Sequence, residues 1–495
     1  MRSLLPGVVL AGLLLALPAH AKRTLTYEDA MAAAASSNPT AVSARLAAEQ
    51  AAEDVRAANG SFDPVLSLSG GYDLNRRSDA RPEFETLFFS DSQAWNVNLS
   101  LQATAPTGTS ATFTSGVTRS IVSTDYQVYG NPIFDPGQLF STEETRTYVP
   151  VFRLALSQEL LRGLRLSFNL QNVRQARERL AAGELDELAA RQQAMADAAR
   201  AYWTWVYLVR LAEIATQSVA IAEEDLRVAR EQVATGRLAS VEATRAEAAM
   251  VQARANELQA AQDAAQAADA LLLLTGGEPG EVLVPGSTPG EAPVLDLEAA
   301  RAVGVALQES PALRAAQIRV EAARTLHLDR KHATWPSLTA NVQGTMSGAI
   351  TEGITGLGFG DFVLPSLSVG AVLSVPLGNR AATGAARRQG EEVRRQEALR
   401  DSLTAQLKAD VEQQVRVLRT ARTKIELADV NVRLARETLA AEQALQEVGR
   451  GLLKDVLEAR TNLERAQGEA FRARTDYRVA LVELERLMGR LGQPG

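Results

Sequence analysis

The chain contains much of its own sequence twice, and this duplication limits the possible folds more than any other feature. Eight residues of the first half recur without a gap 272 positions later, starting with Leu25 and Leu297. A second stretch, residues 236–276, recurs as residues 449–489 and keeps its opening Gly-Arg pair. Repeats of this length form half of an architecture rather than one short solenoid unit. We therefore expect two related halves.

Residues 1–21 have the composition of a secretory signal peptide. An arginine near the start is followed by an apolar stretch and by the small-residue site Ala19-His20-Ala21. The apolar stretch is shorter than the roughly 20 residues that a membrane-spanning helix needs. We predict cleavage after Ala21 and export of a chain that begins at Lys22.

The composition excludes several kinds of function. Without any cysteine, the chain forms no disulfide, thiol-based active site or lipid anchor on a cysteine. Its net charge of −7 argues against a nucleic-acid partner. Outside the signal only His327 and His332 occur, and a spacing of five does not place them on one helical face. We expect no catalytic residue, no cofactor and no metal site, and hence no enzyme.

Each half contains three kinds of helical segment, rich in Ala, Glu, Gln, Arg and Leu. They are a leading helix (residues 26–58 and 297–331), a long helix (166–235 and 380–448) and a return helix (240–275 and 452–488). Pro39 and Pro311 can break the leading helices. Each long helix would measure roughly 100 Å at 1.5 Å per residue. Gly236 and Gly449 fit C-cap positions, and Ser240 fits an N-cap.

Both return helices carry small residues at a strict seven-residue step, a pattern typical of a tightly packed coiled-coil seam. These residues are Ala246, Ala253, Ala260, Ala267 and Leu274 in the first half, and Ala459, Ala466, Ala473, Ala480 and Leu487 in the second. Taken alone, the pattern also fits a secreted, elongated coiled-coil scaffold without channel activity.

Segments between the leading and long helices, within residues 65–160 and 337–376, alternate apolar with small polar residues. Strands of about ten residues with one apolar face are typical of outer-membrane barrels. A β-sandwich shows the same alternation. The polar positions hold Asn, Gln, Ser and Thr rather than charged residues, which favours the barrel.

Polar segments rich in Gly and Pro separate the strands and predict long extracellular loops at residues 75–93, 123–147 and 347–361. Residues 105–108, Ala-Pro-Thr-Gly, predict a tight turn instead. The predicted organisation is a signal (1–21), a first structural repeat (22–276), a linker (277–296) and a second structural repeat (297–495).

This order of elements, duplicated in an exported chain without cysteine, resembles the TolC family of outer-membrane efflux proteins. The resemblance is most specific in the turn at residues 448–455, Val-Gly-Arg-Gly-Leu-Leu-Lys-Asp, and in the motif at residues 156–163. The aromatic pair Tyr202-Trp203 lies where the family often has one. The resemblance implies an α+β fold in which three copies form one outer-membrane β-barrel joined to a long periplasmic α-helical barrel.

The family resemblance also implies a function and partners. The protein would be a passive homotrimeric conduit in the cell outer membrane, in contact with outer-membrane lipid. It would serve a tripartite efflux pump or a type I secretion system, together with a periplasmic adaptor (membrane fusion protein) and an inner-membrane transporter of the RND or ABC type. The expected adaptor contacts at the helix tips are Gly236, Arg237, Leu238, Gly449, Arg450 and Gly451.

Acidic residues just after each tip turn form the closed pinch in this family, and they correspond here to Glu242, Asp455 and Glu458. Asp455 and Glu458 are three apart and share a helical face. In a trimer each becomes a ring of three carboxylates that favours cations. Alternatively, these acids only complement a helix dipole. The family's tyrosine and arginine gate positions fall on Gln446 and Gly451.

The hairpin formed by residues 95–104 and 109–118 has no counterpart in the second half. Its alternation predicts that it faces lipid, which gives six crossings per chain and 18 per trimer. The family resemblance implies four crossings, with the hairpin outside the barrel. We expect four, because the helical tunnel fixes the diameter of the ring.

Overall fold

The computed structural model describes residues 23–81, 86–128, 138–141, 144–236, 239–290, 298–352, 365–448 and 450–492. The predicted signal peptide, with its cleavage site, lies outside these ranges. The described chain forms two compact units. The helical unit comprises the described residues of Met1–Ala48, Gly183–Ala315 and Arg400–Gly495, and the sheet unit those of Glu49–Ala182 and Ala316–Leu399.

Nine α-helices occur in the described residues. They are α1 (Tyr27–Ser37), α2 (Pro39–Asn59), α3 (Leu166–Asn169), α4 (Gln171–Ala234), α5 (Ser240–Thr275), α6 (Ala299–Glu309), α7 (Pro311–His332), α8 (Arg380–Glu447) and α9 (Leu453–Leu487). Among the helices that the structure describes, none combines the length and the apolarity that crossing a membrane requires.

Ten strands occur in the same ranges. They are β1 (Arg23–Leu25), β2 (Val65–Arg81), β3 (Thr86–Thr104), β4 (Thr109–Val128), β5 (Leu139–Ser141), β6 (Thr145–Glu159), β7 (Leu283–Pro285), β8 (Ser337–Ser347), β9 (Ile350–Thr351) and β10 (Ser366–Ser374). The mixture of helices and an antiparallel sheet confirms the predicted α+β class.

Prolines break both leading helices, as the sequence predicts. Helix α1 ends at Ser37 and α2 begins at Pro39, while α6 ends at Glu309 and α7 begins at Pro311. Proline suits the first helical position because its missing N–H needs no partner there. At the first break the Asn38 side chain accepts a hydrogen bond from the Thr40 N–H at 2.9 Å, which caps α2.

One core cluster of the helical unit is built mainly from α6, α8 and α9. Val411 and Leu484 are completely buried, and Tyr477 is nearly so. All five members of the seven-residue ladder on α9 are buried. On α5 only Ala246 is buried, and the other four members are half-buried. The two copies of the repeat therefore pack differently within one chain.

A small parallel sheet of β1 and β7 anchors the middle of α4. The Tyr202 hydroxyl, fully buried, accepts a hydrogen bond from the Ser287 N–H at 2.9 Å and donates to the Leu25 carbonyl at 3.2 Å. The Trp203 ring stacks on Tyr27 with 5.2 Å between the ring centroids. The aromatic pair on the long helix thus holds the linker and the start of the chain against α4.

In the sheet unit, six long strands pair in the order β10-β8-β6-β4-β3-β2, and every pairing is antiparallel. Ala105–Gly108 forms the predicted tight turn: the Ala105 N–H donates to the Thr109 carbonyl at 2.7 Å, and Gly108 has φ +80°. Only glycine adopts this backbone without strain. The first half therefore contributes four long strands and the second half two.

The sheet corrects two expectations. The hairpin β3–β4 does not lie outside the sheet but between β2 and β6, paired on both sides. Much of the predicted loops is strand: β2 continues to Arg81, β3 begins at Thr86 and β4 continues to Val128. Polar composition suggested loops there, but cross-strand pairing, including an ion pair between Arg76 and Asp91 at 3.2 Å, outweighs weak strand propensity.

Candidate functional site

One face of the six-stranded sheet is apolar and exposed. Residues directly opposite each other in register share a face, and alternate residues along each strand point to the same side. By this rule one side of the sheet carries large apolar residues, all of which are exposed. They are Leu66, Leu68, Tyr72, Leu74, Trp95, Val97, Leu99, Leu101, Phe113, Val117, Phe152, Leu154, Leu156, Val342, Met346, Leu367, Val369 and Leu373. Such a large exposed apolar surface indicates contact with lipid or protein.

The opposite face of the sheet is mostly small and polar. It contains Ser67, Ser69, Asn96, Asn98, Ser100, Gln102, Thr112, Thr114, Arg153, Ser157, Asn341, Gln343 and Ser368. An apolar outside combined with a polar inside is the pattern of a strand set that separates lipid from water.

The sheet has two open edges. Within the described residues, β2 pairs only with β3 and β10 only with β8. Because the six strands alternate in direction, β2 and β10 run oppositely, so the two edges are antiparallel to each other. Strands β8 and β10 contain 11 and 9 residues, which matches the roughly 9–11 residues of a tilted membrane-spanning strand.

The first helix tip joins α4 to α5. Gly236 has φ +70° and its N–H donates to the Val233 carbonyl at 3.0 Å, as expected for a glycine that ends a helix. Ser240 does not cap α5: it is the first helical residue, and Ala239 stands at the cap without a side-chain hydrogen bond. The other predicted contacts at this tip, Arg237 and Leu238, lie outside the described residues.

The second tip joins α8 to α9, and its Gly449 also lies outside the described residues. The N–H groups of Arg450 and Gly451 both donate to the Leu445 carbonyl at 2.9 Å. A Cβ on Gly451 would lie 2.7 Å from the Gln446 nitrogen, so no larger residue fits this turn. An arginine gate residue is therefore incompatible with the local backbone at position 451.

The predicted acidic residues differ in their surroundings. Glu242 accepts a hydrogen bond from Arg245 at 2.6 Å, and its side chain is 20% exposed. Asp455 is half-buried and Glu458 is exposed, and neither side chain forms a hydrogen bond or ion pair within the described part of the chain. Val456 and Ala459, which alternate with them, are buried. Asp455 and Glu458 thus share the open side of α9, as their spacing predicts.

Contacts within the helical unit hold this end of α9 in place. Leu453 packs against the cluster of Leu226, Ala229 and Ala246, which comes from α4 and α5. Sequence reasoning missed the ion pair between Arg460 and Asp225, whose side chains are both mostly buried. No spacing rule could have found it, because the two residues come from different halves of the chain.

The histidines have structural surroundings. The His327 ring lies 3.1 Å from the Ala386 carbonyl, and the His332 ring lies 3.0 Å from the Arg162 carbonyl and packs between Phe168 and Trp335. Across the described ranges, no group of three or more possible ligands is arranged to hold a metal ion.

Comparison with known proteins now identifies the family. The outer membrane efflux protein family matches residues 139–277 and 302–490, one segment in each half. The chain belongs to this family. None of the curated proteins compared with it matches the chain.

Solved structures agree with this fold at low sequence identity. The Campylobacter jejuni outer membrane channel CmeC is 15% identical with a TM-score of 0.64, over 94% of this chain and 85% of that one. The outer membrane protein VceC from Vibrio cholerae is 17% identical with a TM-score of 0.64, over 94% and 96%. The Neisseria gonorrhoeae channel MtrE in its open state is 17% identical with a TM-score of 0.58, over 94% and 91%.

Family membership indicates the environment of the apolar sheet face. This efflux protein is an outer-membrane protein with a TolC-like fold, and its helices lie in the periplasm. The match confirms the resemblance that the tip motifs and the duplication indicate. The exposed apolar residues of the sheet are therefore those expected to meet lipid.

Proposed function

We propose that the protein is the passive outer-membrane conduit of a tripartite export machine, working as a homotrimer. The machine is an efflux pump or a type I secretion system, in which a periplasmic adaptor links the conduit to an inner-membrane RND or ABC transporter. The observation that carries this proposal is the sheet with an apolar outer face and two open edges.

Edge closure is the physical reason for a trimer. An open sheet edge in lipid leaves backbone N–H and C=O groups without partners, which costs several kcal/mol per group. One chain offers six long strands, fewer than the eight of the smallest outer-membrane barrels. If β10 of one copy pairs with β2 of the next, all edges disappear, and the pairing is antiparallel. Threefold closure is supported by family membership.

The helix tips support the rest of the proposal. They present backbone turns at Gly236 and at Arg450-Gly451 that suit contact with an adaptor. Asp455 and Glu458, without ion-pair partners in the described part of the chain, would form two rings of carboxylates in a trimer and favour cations. Glu242 would contribute less, because its charge is balanced by Arg245.

A secreted coiled-coil scaffold is the alternative, and the helical unit taken alone would fit it. The sheet argues against this alternative, because a water-soluble scaffold would aggregate through so many exposed apolar side chains.

Purification of the native protein after mild crosslinking tests the proposal. We expect a detergent-dependent trimer in the outer-membrane fraction, together with one adaptor and one inner-membrane transporter. Mass spectrometry of the crosslinked partners distinguishes an RND pump from an ABC exporter. A monomer that stays soluble without detergent would contradict the conduit and favour the scaffold.

A further inference from the structure

The hairpin β3–β4 is the largest difference between the two halves of the protein. In the second half, β8 and β10 are the two long strands between the leading and long helices, whereas the first half has β2, β3, β4 and β6. The hairpin is thus an addition that the repeat does not require.

The hairpin is nevertheless essential to the continuity of the sheet. Strand β2 pairs with β3 along its whole length, from Val65 opposite Gln102 to Arg81 opposite Thr86. Strand β4 pairs with β6 from Thr109 to Val122. If the hairpin lay outside a membrane-embedded sheet, β2 would lose its only described partner.

The apolar face continues across the hairpin and is interrupted on β4 by Ser115. In one register row, Leu68 of β2 lies opposite Leu99 of β3. The row continues through Ser115 of β4 to Phe152 of β6. The exposed fractions are 74% for Leu68, 42% for Leu99 and 45% for Phe152. The hairpin thus presents exposed apolar side chains on the same face as its flanking strands.

A row of three aromatic residues and one arginine, called here the aromatic row, crosses both hairpin strands at one end of this apolar band. Tyr72, Trp95, Arg119 and Tyr148 follow one another in register on β2, β3, β4 and β6. The Tyr72 and Trp95 ring centroids are 5.0 Å apart. The Arg119 guanidinium carbon lies 5.3 Å from the Trp95 ring centroid and 5.7 Å from that of Tyr148. Outer-membrane barrels carry such aromatic girdles where hydrocarbon meets headgroups.

The width of the band fits a membrane. From Tyr148 to Leu156 along β6 there are eight residue steps, or about 27 Å of strand at 3.4 Å per residue. At the tilt of about 35–45° typical of barrel strands this length spans about 20 Å of membrane, close to the apolar band of about 25 Å in such barrels. Beyond the aromatic row the strands become polar, as the exposed Arg76–Asp91 ion pair illustrates. These outer parts lie at the end of the sheet opposite to the helices of the same unit, on the extracellular side.

The polar face of the hairpin is equally regular. Asn98 of β3 lies directly over Gly116 of β4, where a Cβ would stand 2.1 Å from the Asn98 Oδ1 atom. Asn96 packs in the same way beside Gly71 of β2. The polar side chains of the hairpin thus continue the water-facing surface of its neighbours.

We infer that β3 and β4 cross the outer membrane with their apolar face against lipid, so that each chain contributes six strands and a trimer closes an 18-stranded barrel. This inference rests on the proposed trimeric conduit. Because barrel diameter grows roughly linearly with strand number, the ring is about 1.5 times as wide as one built from four strands per chain. The outer mouth accommodates correspondingly bulkier cargo.

Single-cysteine variants test the inference, because the natural chain contains no cysteine and a thiol label therefore reacts at the introduced position alone. The pair Leu99→Cys and Asn98→Cys probes the two faces of β3. The pair Leu154→Cys and Arg153→Cys provides the matched control on β6, a strand outside the hairpin. Each variant is labelled with an environment-sensitive fluorophore and placed in vesicles that contain doxyl-labelled phosphatidylcholine as a lipid-phase quencher. Iodide serves as the aqueous quencher.

We expect doxyl lipid to quench the labels at 99 and 154 several-fold more than those at 98 and 153, and iodide to show the reverse order. Strong doxyl quenching at 154 but not at 99 would overturn the six-strand barrel and leave the conduit intact. No doxyl quenching at either position would contradict the proposed conduit itself. Cryo-electron microscopy of the unmodified protein gives an independent count, in which 12 strands instead of 18 would overturn the inference.

Discussion

The two units of the protein place apolar residues in opposite ways. In the helical unit the side chains of Leu484 and Val411 are fully buried. In the sheet unit Leu68, Val369 and Leu367 are each more than 70% exposed. Burial of apolar surface is favourable only where the alternative is water. The contrast shows that the exposed side chains of the sheet suit a solvent other than water, whereas the helical unit buries its apolar side chains as a protein in water does.

A second contrast lies within the helical unit, between the two return helices. Every ladder residue of α9 is buried, while most of the same ladder on α5 is only half-buried. The ladder sequence is repeated in the two helices, but the residues that pack around it differ. We expect the open ladder of α5 to pack against a neighbouring copy in the trimer.

The largest expected effect concerns the core of the helical unit. Leu484→Ala removes a completely buried side chain, so we expect a loss of about 2–5 kcal/mol in the free energy of unfolding. The matched variant Leu68→Ala should change it by no more than about 0.5 kcal/mol, as for an exposed position. Unfolding of both variants in one detergent measures the difference. Equal losses would show that the sheet face is buried by protein rather than by lipid.

An arginine introduced on one or the other face of the sheet tests whether the apolar face contacts lipid. Leu99→Arg should cost about 2–4 kcal/mol, because it places a cation against hydrocarbon, while Asn98→Arg on the polar face should be tolerated. The measurement is the amount of heat-resistant trimer in the outer membrane. Normal assembly of Leu99→Arg together with failure of Asn98→Arg would mean that the two faces have been assigned the wrong way round.

Enlarging one alanine in each ladder tests the contrast between α5 and α9. Ala473→Leu overfills a buried position and should lower the free energy of unfolding by about 1–3 kcal/mol. Ala260→Leu, at a half-buried position, should leave protomer unfolding almost unchanged and instead lower the temperature at which the trimer dissociates. If Ala260→Leu affected neither quantity, the α5 ladder would not be a contact between copies.

The acidic tip residues should affect selectivity more than stability. Replacing Asp455 by Asn and Glu458 by Gln should reduce the preference for cations over anions and weaken block by divalent cations. If these acids only complement the helix dipole, the variant should lose about 0.3–1 kcal/mol per site and keep its selectivity. Reversal potentials in a salt gradient separate the two explanations. Glu242→Gln is the control, since Arg245 already balances that charge.

The smallest effect is a pH dependence at Glu485, on α9 next to Tyr27. Burial raises the pKa of the Glu485 carboxyl above that of an exposed glutamate. The native state therefore holds this proton to higher pH than the unfolded chain, and stability falls as pH rises from about 4.3 through the native pKa. Glu485→Gln should remove this slope. If the melting temperatures of wild type and variant change with pH in the same way between pH 4 and 8, the assignment of this pH dependence to Glu485 is disproved.

Much of the fold could be predicted because the signals are local or repeated. Duplication gave the two halves, Pro39 and Pro311 gave the helix breaks, and residues 105–108 gave a tight turn. The loops were overestimated because Asp, Arg and Ser suggest turns, whereas pairing with a neighbouring strand decides the outcome. The expectation that the hairpin lies outside the barrel follows from the family resemblance and from the ring diameter that the helical tunnel sets, and it disregards the alternation of Trp95, Val97 and their neighbours.

The candidate site was less predictable than the fold. The spacing of Asp455 and Glu458 correctly indicates a shared helical side. The pairing of Glu242 with Arg245 could have been expected from their spacing of three, but a sequence gives no rotamer. Arg460 and Asp225 meet only through folding, so periodicity carries no information about their contact.

Planar-bilayer recording of the purified oligomer tests the central claim most directly. If three copies close their sheets with the apolar face toward lipid, the protein should insert and give uniform, stepwise ion conductance from particles with the mass of a trimer. The same preparation of Leu99→Arg should give few insertions, and Asn98→Arg should insert normally. A trimer that conducts no ions under any salt condition, or a monomer that conducts, would contradict the account.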